Sequence, residues 1–112
     1  MTYNGWTNYE TWAVALWIDN EQGSHNQRRE MAQETWDNAE ATRYSTREEV
    51  ALRDFADTLK DWVEEMAPDL GASLFSDLLS AALQEVDWRE IAENWSEDID
   101  KEAEEEEEDS EV

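Results

Sequence analysis

The sequence contains no cysteine, one histidine, one proline and three glycines among its 112 residues. Without cysteine the chain can form no disulfide and offers no thiolate for catalysis or metal binding. The glycines are scattered, so no glycine-rich phosphate loop is present, and a single histidine gives no His/Cys metal spacing. That histidine, His25, lies at a predicted helix start, where the helix dipole slightly disfavours a charged imidazole. We therefore expect a non-enzymatic protein without a metal or cofactor.

Long apolar segments are also missing. No stretch approaches the 18 or so consecutive apolar residues that a membrane-spanning helix needs. The N-terminus has no basic region followed by an apolar run, as a signal peptide would have. We expect one domain, from the length, and a cytoplasmic location.

Positive charge is scarce. Eight Lys and Arg residues stand against 31 Asp and Glu residues, and the net charge is −23. Only Lys60 and Lys101 are lysines. Direct binding to nucleic acid or to an anionic membrane is disfavoured, because it would bring like charges together. Three explanations for the acidity remain open: a solvating surface, adaptation to a very salty cytoplasm, or a surface that binds a basic partner.

Aromatic side chains supply the apolar area that the charged composition otherwise lacks. The chain has seven tryptophans, and each aromatic side chain can bury on the order of 150–250 Å². Residues 4–20 hold three of them, after a turn dipeptide at Asn4-Gly5. A capping box from Thr7 to Glu10 then predicts a helix that is apolar nearly all round, which is typical of a central, buried helix.

Two amphipathic helices are predicted next, with apolar residues recurring every three or four positions. Gly23 suits the turn after the first helix, and a capping box at Ser24 starts a helix that ends near Tyr44. A further capping box at Thr46 starts the clearest helix of the chain. Pro68 stops that helix, because proline lacks the N–H and disfavours helix in the preceding residue.

The last two helices complete the predicted fold. Leu74 to Val86 form a wide apolar stripe, and Asp87 caps a short helix that follows. No segment alternates apolar and polar residues over the length of a strand. The sequence therefore predicts an all-α, bundle-like domain of five helices over residues 1–95.

From Ser96 onward the composition changes. Residues 96–112 carry 11 acidic residues and one lysine. Like charges at i, i+4 destabilise a helix, and few apolar groups are available to offset the entropy of ordering. We expect a disordered acidic tail at residues 96–112. Without the tail the domain keeps 20 acidic and 7 basic residues, so its own net charge is −13.

The helix that begins at Arg47 carries the main candidate site. Diametrically opposite its apolar face lies a series of acidic residues three or four positions apart, here named the acidic row: Asp54, Asp57, Asp61, Glu64 and Glu65. Such spacing places the carboxylates about 5–6 Å apart along the axis, a charge density broadly comparable with that of the DNA backbone. The row is either a plain solvated face or a functional acidic surface.

The tryptophans divide into two groups. Those on apolar stripes are expected in the core: Trp12, Trp36, Trp62 and either Trp88 or Trp95. Trp6 and Trp17 are the candidates for an aromatic interface. Trp6 precedes the first helix and suits a hydrophobic staple, and Trp17 lies away from the side that carries Trp12. If the first helix buries both of its sides, Trp17 belongs to the core instead.

The N-terminal string Asn4-Gly-Trp-Thr-Asn-Tyr-Glu-Thr-Trp, followed by Leu16-Trp17-Ile18-Asp19-Asn20, resembles an uncharacterised family of small proteins. Members occur in phages, plasmids, archaea and some bacteria, and share a Gly-Trp-x-Asn-(Tyr/Trp)-x-Thr-Trp start. The resemblance covers residues 4–20 and implies no activity. It implies a viral or mobile-element context, in which small acidic anti-defence proteins are frequent, and a host cytoplasm if the protein is viral.

Together these features favour a DNA mimic. In this hypothesis the acidic row occupies the basic nucleic-acid channel of a host restriction or CRISPR-type complex, and the tail adds long-range electrostatic steering. One alternative is a small structural or housekeeping protein of a salt-adapted organism, whose acidity serves solvation only. The other is a histone-chaperone-like binder of basic proteins, which depends on the tail.

Overall fold

The computed structural model describes residues 2–101 of the chain. Five α-helices make up most of this part: α1 (Tyr9–Asn20), α2 (Gln22–Asn38), α3 (Arg47–Met66), α4 (Leu74–Gln84) and α5 (Trp88–Trp95). A single 3₁₀ turn, Ser96–Asp98, follows α5. Within residues 2–101 the β structure is one isolated bridge, and no helix is long and apolar enough to cross a membrane. The predicted all-α fold of five helices is confirmed.

A tight turn precedes α1. Tyr3 and Trp6 exchange two backbone hydrogen bonds, with N···O distances of 2.7 and 2.8 Å. Between them Asn4 and Gly5 both have positive φ, 48° and 88°, as the predicted turn dipeptide requires. The turn directs Trp6 back onto the domain, where it packs against the core.

The N-cap of α1 is Asn8 rather than the predicted Thr7. The Asn8 Oδ1 atom accepts a hydrogen bond from the Thr11 backbone N–H at 2.9 Å. The Thr7 backbone N–H, which the predicted capping box would pair with Glu10, donates instead to Glu90 Oε1 at 2.9 Å. Asparagine caps helices at least as well as threonine, so a tertiary contact at Thr7 is enough to move the start of the helix by one residue.

The same residues join the start of α1 to the loop between α4 and α5. Asn8 Nδ2 donates to the Glu85 carbonyl at 2.6 Å, and the Asp87 N–H donates to Thr11 Oγ1 at 2.9 Å. The Thr11 hydroxyl in turn donates to Asn8 Oδ1 at 2.6 Å. Thr11 is fully buried. We call Asn8, Thr11, Glu85 and Asp87 the N-terminal junction.

α1 is not the central buried helix that its composition predicts. A single stripe of α1 is buried, formed by Thr11, Ala15 and Ile18. Trp17 is 74% exposed, and Tyr9 is also exposed. Small side chains at positions 11 and 15 bring the helix backbone close to the domain, while the large aromatic groups remain at the surface. The prediction of a buried first helix was therefore wrong.

α2 starts earlier than predicted. It begins at Gln22, so Gly23 lies in its first turn and does not form a turn between helices. Ser24 does not cap the helix either: its hydroxyl donates to the Ile18 carbonyl at 2.6 Å and to the Glu21 carbonyl at 3.2 Å. The serine therefore ties the end of α1 to the start of α2.

α2 also ends earlier, at Asn38 rather than near Tyr44. Ala39 turns into an extended conformation and is buried. The guanidinium of Arg47 donates to the Trp36 carbonyl at 2.9 and 3.2 Å. This contact satisfies one of the carbonyls that a helix end leaves without a partner, so the chain can leave the helix there.

α3 has the bounds that its sequence predicts. Thr46 accepts a hydrogen bond from the Glu49 N–H at 3.1 Å, and the helix ends at Met66, two residues before Pro68. Local signals therefore determined both ends of this helix.

The centre of the core lies between α3 and α5. Phe55 and Leu59 of α3 and Ile91 and Ala92 of α5 are completely inaccessible to solvent. The Trp95 ring packs beside Phe55, with 6.5 Å between ring centroids. α3 also packs against α2, so it lies between α2 and α5 in the core.

The tryptophans predicted in the core are buried to different degrees. Trp36 and Trp95 are buried, whereas Trp62 and Trp88 are partly buried and pack against the core from its edge. Trp12 is half-buried and lies 4.8 Å from the Tyr3 ring.

Residues 96–101 pack on the domain, although the sequence assigns them to the tail. Ile99 packs against two groups of buried core residues, one that contains Phe55 and one that contains Trp36. Asp98 accepts a hydrogen bond from Arg28 at 2.6 Å. The Asp100 backbone N–H donates to Gln33 Oε1 at 2.9 Å. One apolar group and these polar contacts stabilise a segment that composition alone marks as disordered. The rest of the predicted tail, residues 102–112, lies outside the described residues.

α4 is the exception among the helices. It is amphipathic as predicted and is capped by Ser73, but none of its residues is buried. Leu74 and Phe75 are each 67% exposed, and Leu78 is 58% exposed. The predicted apolar stripe therefore exists, but it is covered unevenly: Val86 at its end is buried in the core and Leu79 and Leu83 are half-buried, whereas Leu74, Phe75 and Leu78 are left open by the described part of the chain.

Candidate functional site

The acidic row lies on the solvent side of α3. All five of its carboxylates are exposed: Asp54, Asp57, Asp61, Glu64 and Glu65. The opposite side of the same helix carries the fully buried Phe55 and Leu59. Helical periodicity alone places the row there, because apolar and acidic residues alternate every three or four positions.

The row has little internal charge compensation. Arg53 Nε lies 3.9 Å from Asp54 Oδ1, and both side chains are more than half exposed, so the pair contributes little. Within residues 2–101 the four other carboxylates of the row form no ion pair. The negative charge of this face is therefore directed at solvent or at a partner.

α2 extends the acidic surface beyond the row. A shallow groove of about 420 Å³ runs between α2 and α3, and Glu34, Asp54 and Asp57 line it together with Met31 and Thr58. Sequence reasoning missed Glu34, because it considered α3 by itself. In the sequence Glu34 lies beside Thr35 of the predicted α2 stripe. This is a weak signal, because it becomes informative only once α2 and α3 are known to pack together. We call Glu34 and the acidic row the acidic face.

Three basic residues lie beside the acidic face. Arg53 and Lys60 of α3 and Arg89 of α5 line a second open groove, which also contains Trp88. Arg89 Nε lies 3.2 Å from Glu93 Oε1. Asp57 of the acidic row lines the same groove, so three of the eight basic residues of the chain lie directly beside one edge of the acidic face.

The two predicted interface tryptophans lie in different environments. Trp6 packs against the core, whereas Trp17 is the exposed one, on α1. α1 packs mainly against α2 and α5, so Trp17 is not carried by the helix of the acidic row. The structure therefore does not join Trp6 and Trp17 into one aromatic surface.

A different aromatic cluster forms at the N-terminus. The rings of Tyr3, Tyr9 and Trp12 lie 4.8–5.5 Å apart, and both tyrosines are exposed. Sequence reasoning did not find this cluster, because it requires the turn at Asn4-Gly5 to bring Tyr3 back over α1. The i, i+3 spacing of Tyr9 and Trp12 was the available signal.

The remaining polar clusters are structural. Arg28 is buried, donates to Asp19 at 2.9 Å and to Asp98 at 2.6 Å, and lies 4.6 Å from the centre of the Trp95 ring. His25 Nδ1 lies 3.0 Å from the same Asp19 carboxylate. In the part of the chain that the structure describes, no three His, Asp or Glu side chains are arranged to hold a metal ion. The exposed carboxylates of the acidic face can attract basic groups electrostatically.

Comparison with known proteins identifies the family but not the activity. The chain belongs to a family of unknown function, DUF7249, which matches residues 1–109. No curated protein and no solved structure matches the chain. Membership of an uncharacterised family, which the N-terminal resemblance implies, is thus confirmed. The function has to be argued from the residues themselves.

Proposed function

We propose that this protein is a non-enzymatic acidic binder that mimics DNA and occupies a basic nucleic-acid-binding surface of another protein. The observation that carries the proposal is the acidic row: five exposed carboxylates on one face of the helix that anchors the core. A restriction or CRISPR-type complex of a host cell is the partner that suits this chemistry and the phage or plasmid context of similar N-terminal motifs.

The spacing of the row supports mimicry of a phosphate backbone. From Asp54 to Glu65 the helix rises about 16 Å, so the five carboxylates provide about one charge per 4 Å. One strand of duplex DNA carries a phosphate about every 3.4 Å. A groove that binds one strand of DNA therefore meets a similar linear charge density on α3.

Rigidity supports the proposal as well. Phe55 and Leu59 fix α3 in the core, and Thr46 caps its first turn. The carboxylates are thus held in place by the helix before any partner arrives. Less backbone ordering is then required on binding, so more of the electrostatic attraction remains as affinity.

The groove between α2 and α3 offers a place for a basic side chain. Glu34, Asp54 and Asp57 line it from two helices, so a guanidinium or ammonium group can be contacted from both sides. Charge-assisted hydrogen bonds of this kind are shorter and stronger than neutral ones. We expect an arginine or lysine of the partner in this groove.

The test neutralises the row without changing its shape. The variant carries Asp54→Asn, Asp57→Asn, Asp61→Asn, Glu64→Gln and Glu65→Gln. Its matched control removes the same number of negative charges from exposed positions outside α2 and α3: Glu21→Gln, Glu40→Gln, Asp69→Asn, Glu85→Gln and Glu97→Gln. Both variants therefore have the same net charge, and only the location of the loss differs.

The readouts are capture of partners from host lysate at moderate salt and inhibition of DNA cleavage by host restriction or CRISPR-type nucleases. We expect the row variant to lose both activities, the control to retain both, and wild-type binding to weaken steeply with salt. Equal activity of the row variant and wild type would remove the acidic row from the function. Equal loss in both variants would show that total charge, not the row, is responsible.

Salt adaptation predicts a different result. If acidity serves solvation only, the domain folds only in molar potassium chloride, where the Debye length is about 3 Å and a charge-based partner is screened. A melting curve as a function of potassium chloride separates the two explanations. The chaperone-like alternative predicts that removal of residues 102–112 abolishes binding to basic proteins, whereas the DNA mimic keeps its acidic face after that deletion.

A further inference from the structure

Among the α-helices of residues 2–101, α4 carries the largest group of exposed aliphatic and aromatic side chains. Leu74, Phe75 and Leu78 are more than half exposed, and Ala81 beside them is also exposed. Helical spacing places these residues and Ala82 on one side, here named the α4 face. Every other α-helix in residues 2–101 has buried residues, whereas α4 has none.

An isolated helix of this kind requires a cover. α4 has 11 residues, and helices shorter than about 12–15 residues are marginal in water without packing. Large exposed apolar patches on soluble proteins commonly mark interaction sites. Residues 102–112 are poorly suited to cover the face, because eight of the eleven are acidic and their apolar residues are Ala103 and Val112.

The charge of this region points to a second copy of the chain. Residues 70–84 contain one charged side chain, Asp77, in a chain of net charge −23. A basic partner would be attracted to the acidic face and would find almost no carboxylate on α4. Two copies that meet through α4 bring together the region where their mutual repulsion is smallest.

The α4 face is also complementary to itself in shape. Its large side chains, Leu74, Phe75 and Leu78, lie in the N-terminal half of the helix, and Ala81 and Ala82 lie in the C-terminal half. A two-fold axis near Leu78 reverses one helix relative to the other. The large residues of each copy then meet the alanines of the other, and the two Leu78 side chains meet at the axis. Such isologous contacts close after two subunits.

We propose that the α4 face is the interface of a two-fold symmetric dimer of this chain. The inference is independent of the function proposed for the acidic face. A pair of 11-residue helices is about 16 Å long and buries less than the roughly 800 Å² per partner of a standard interface. The dimer is therefore weak and dependent on concentration.

Salt gives the dimer a distinctive signature. Each subunit carries a charge of −23, so the subunits repel each other at a distance, and screening reduces this repulsion. The dimer tightens as salt increases. Binding of a basic partner to the acidic face weakens under the same change, so the two interactions respond with opposite sign.

Sedimentation equilibrium of the full-length chain tests the proposal, with a concentration series at about 0.1 M and about 1 M sodium chloride. We expect the mass to rise with concentration from 13.1 kDa to twice that value, at lower concentrations in the higher salt. A mass of 13.1 kDa up to the highest concentration reached in either salt would overturn the proposal. Growth beyond the dimer would also contradict it, because the two-fold interface is closed.

A matched pair of variants locates the interface. Leu78→Glu places two like charges at the two-fold axis, and Gln84→Glu adds the same charge to the same helix away from the α4 face. Like charges facing each other in an interface weaken association strongly, so we expect Leu78→Glu to raise the dissociation constant about 100-fold or more and Gln84→Glu to leave it nearly unchanged. A Leu78→Glu protein that dimerises like wild type would exclude the α4 face. Circular dichroism of both variants at equal concentration shows whether either has unfolded. Leu74→Ser replaces an exposed leucine with a smaller polar residue and so provides a second variant of the same face without added charge.

Discussion

Replacing Thr11 with valine is expected to destabilise the domain by about 2–3 kcal/mol, although valine has nearly the same shape. Thr11 is fully buried in the N-terminal junction. Its hydroxyl donates to Asn8 Oδ1 at 2.6 Å and accepts from the Asp87 N–H at 2.9 Å. Valine fills the same volume and removes both hydrogen bonds, so the perturbation isolates their contribution.

The magnitude follows from the two lost bonds. A net hydrogen bond contributes about 1 kcal/mol, and a donor left without a partner in a buried site costs about 1–3 kcal/mol. The Asp87 N–H becomes such a donor, because the methyl group of valine occupies the place of the hydroxyl. Asn8 Oδ1 loses the hydrogen bond from the Thr11 hydroxyl but still accepts one from the Thr11 N–H at 2.9 Å, so Asn8 still caps α1.

Urea unfolding followed by circular dichroism measures the effect. The midpoint should fall while the slope of the free energy against urea stays the same, because the folded structure is unchanged. Thr11→Ser is the control: it keeps the hydroxyl and removes one buried methyl group, which costs about 1 kcal/mol. The reasoning is refuted if the valine variant is at least as stable as the serine variant.

Three further changes are predicted from the same contacts. Arg28→Met should lower the free energy of unfolding, measured with urea, by about 1–2 kcal/mol. This is less than the cost of removing one partner of a fully buried ion pair, because Asp19 and Asp98 are partly exposed and regain water. A loss above about 4 kcal/mol would contradict this reasoning. Thr46→Ala should cost about 1 kcal/mol through the lost N-cap of α3, and Thr46→Ser should restore most of it. Trp17→Ser should change the free energy of unfolding by less than about 0.5 kcal/mol, since the side chain is 74% exposed; a large loss would mean that the tryptophan is covered in solution.

The sequence predicts best where signals are local. The bounds of α3 follow from Thr46 and Pro68, and its buried face follows from the spacing of Phe55 and Leu59. The exposure of the acidic row follows from the same periodicity, because an amphipathic helix that buries its apolar stripe turns its charged side to solvent. These features need no knowledge of the neighbouring helices.

Where partners distant in sequence compete with local signals, prediction fails. Thr7 and Ser24 both have the capping pattern, but contacts to Glu90 and to the Ile18 carbonyl decide what they do. A capping box records a preference of about 1 kcal/mol, which tertiary contacts readily override. No local pattern reveals such contacts.

Prediction from sequence is also limited for features that depend on how two helices pack. The contribution of Glu34 to the acidic face depends on how α2 packs against α3. In the same way, the stripe of α4 predicts an apolar side but not whether the chain itself covers it. An amphipathic pattern indicates that the apolar side of a helix is more stable when buried, but the arrangement of the whole domain determines what it packs against.

The N-terminal junction also constrains when the protein can fold during its synthesis. Thr7 and Thr11 find their partners 83 and 76 residues later in the chain, at Glu90 and Asp87. Thr7 and Thr11 leave the ribosome long before these partners, so their contacts form only after nearly the whole domain has emerged. Contacts of such long sequence separation slow folding. A nascent chain arrested before residue 85 should therefore remain sensitive to protease throughout, and protection should appear only when α5 has been released.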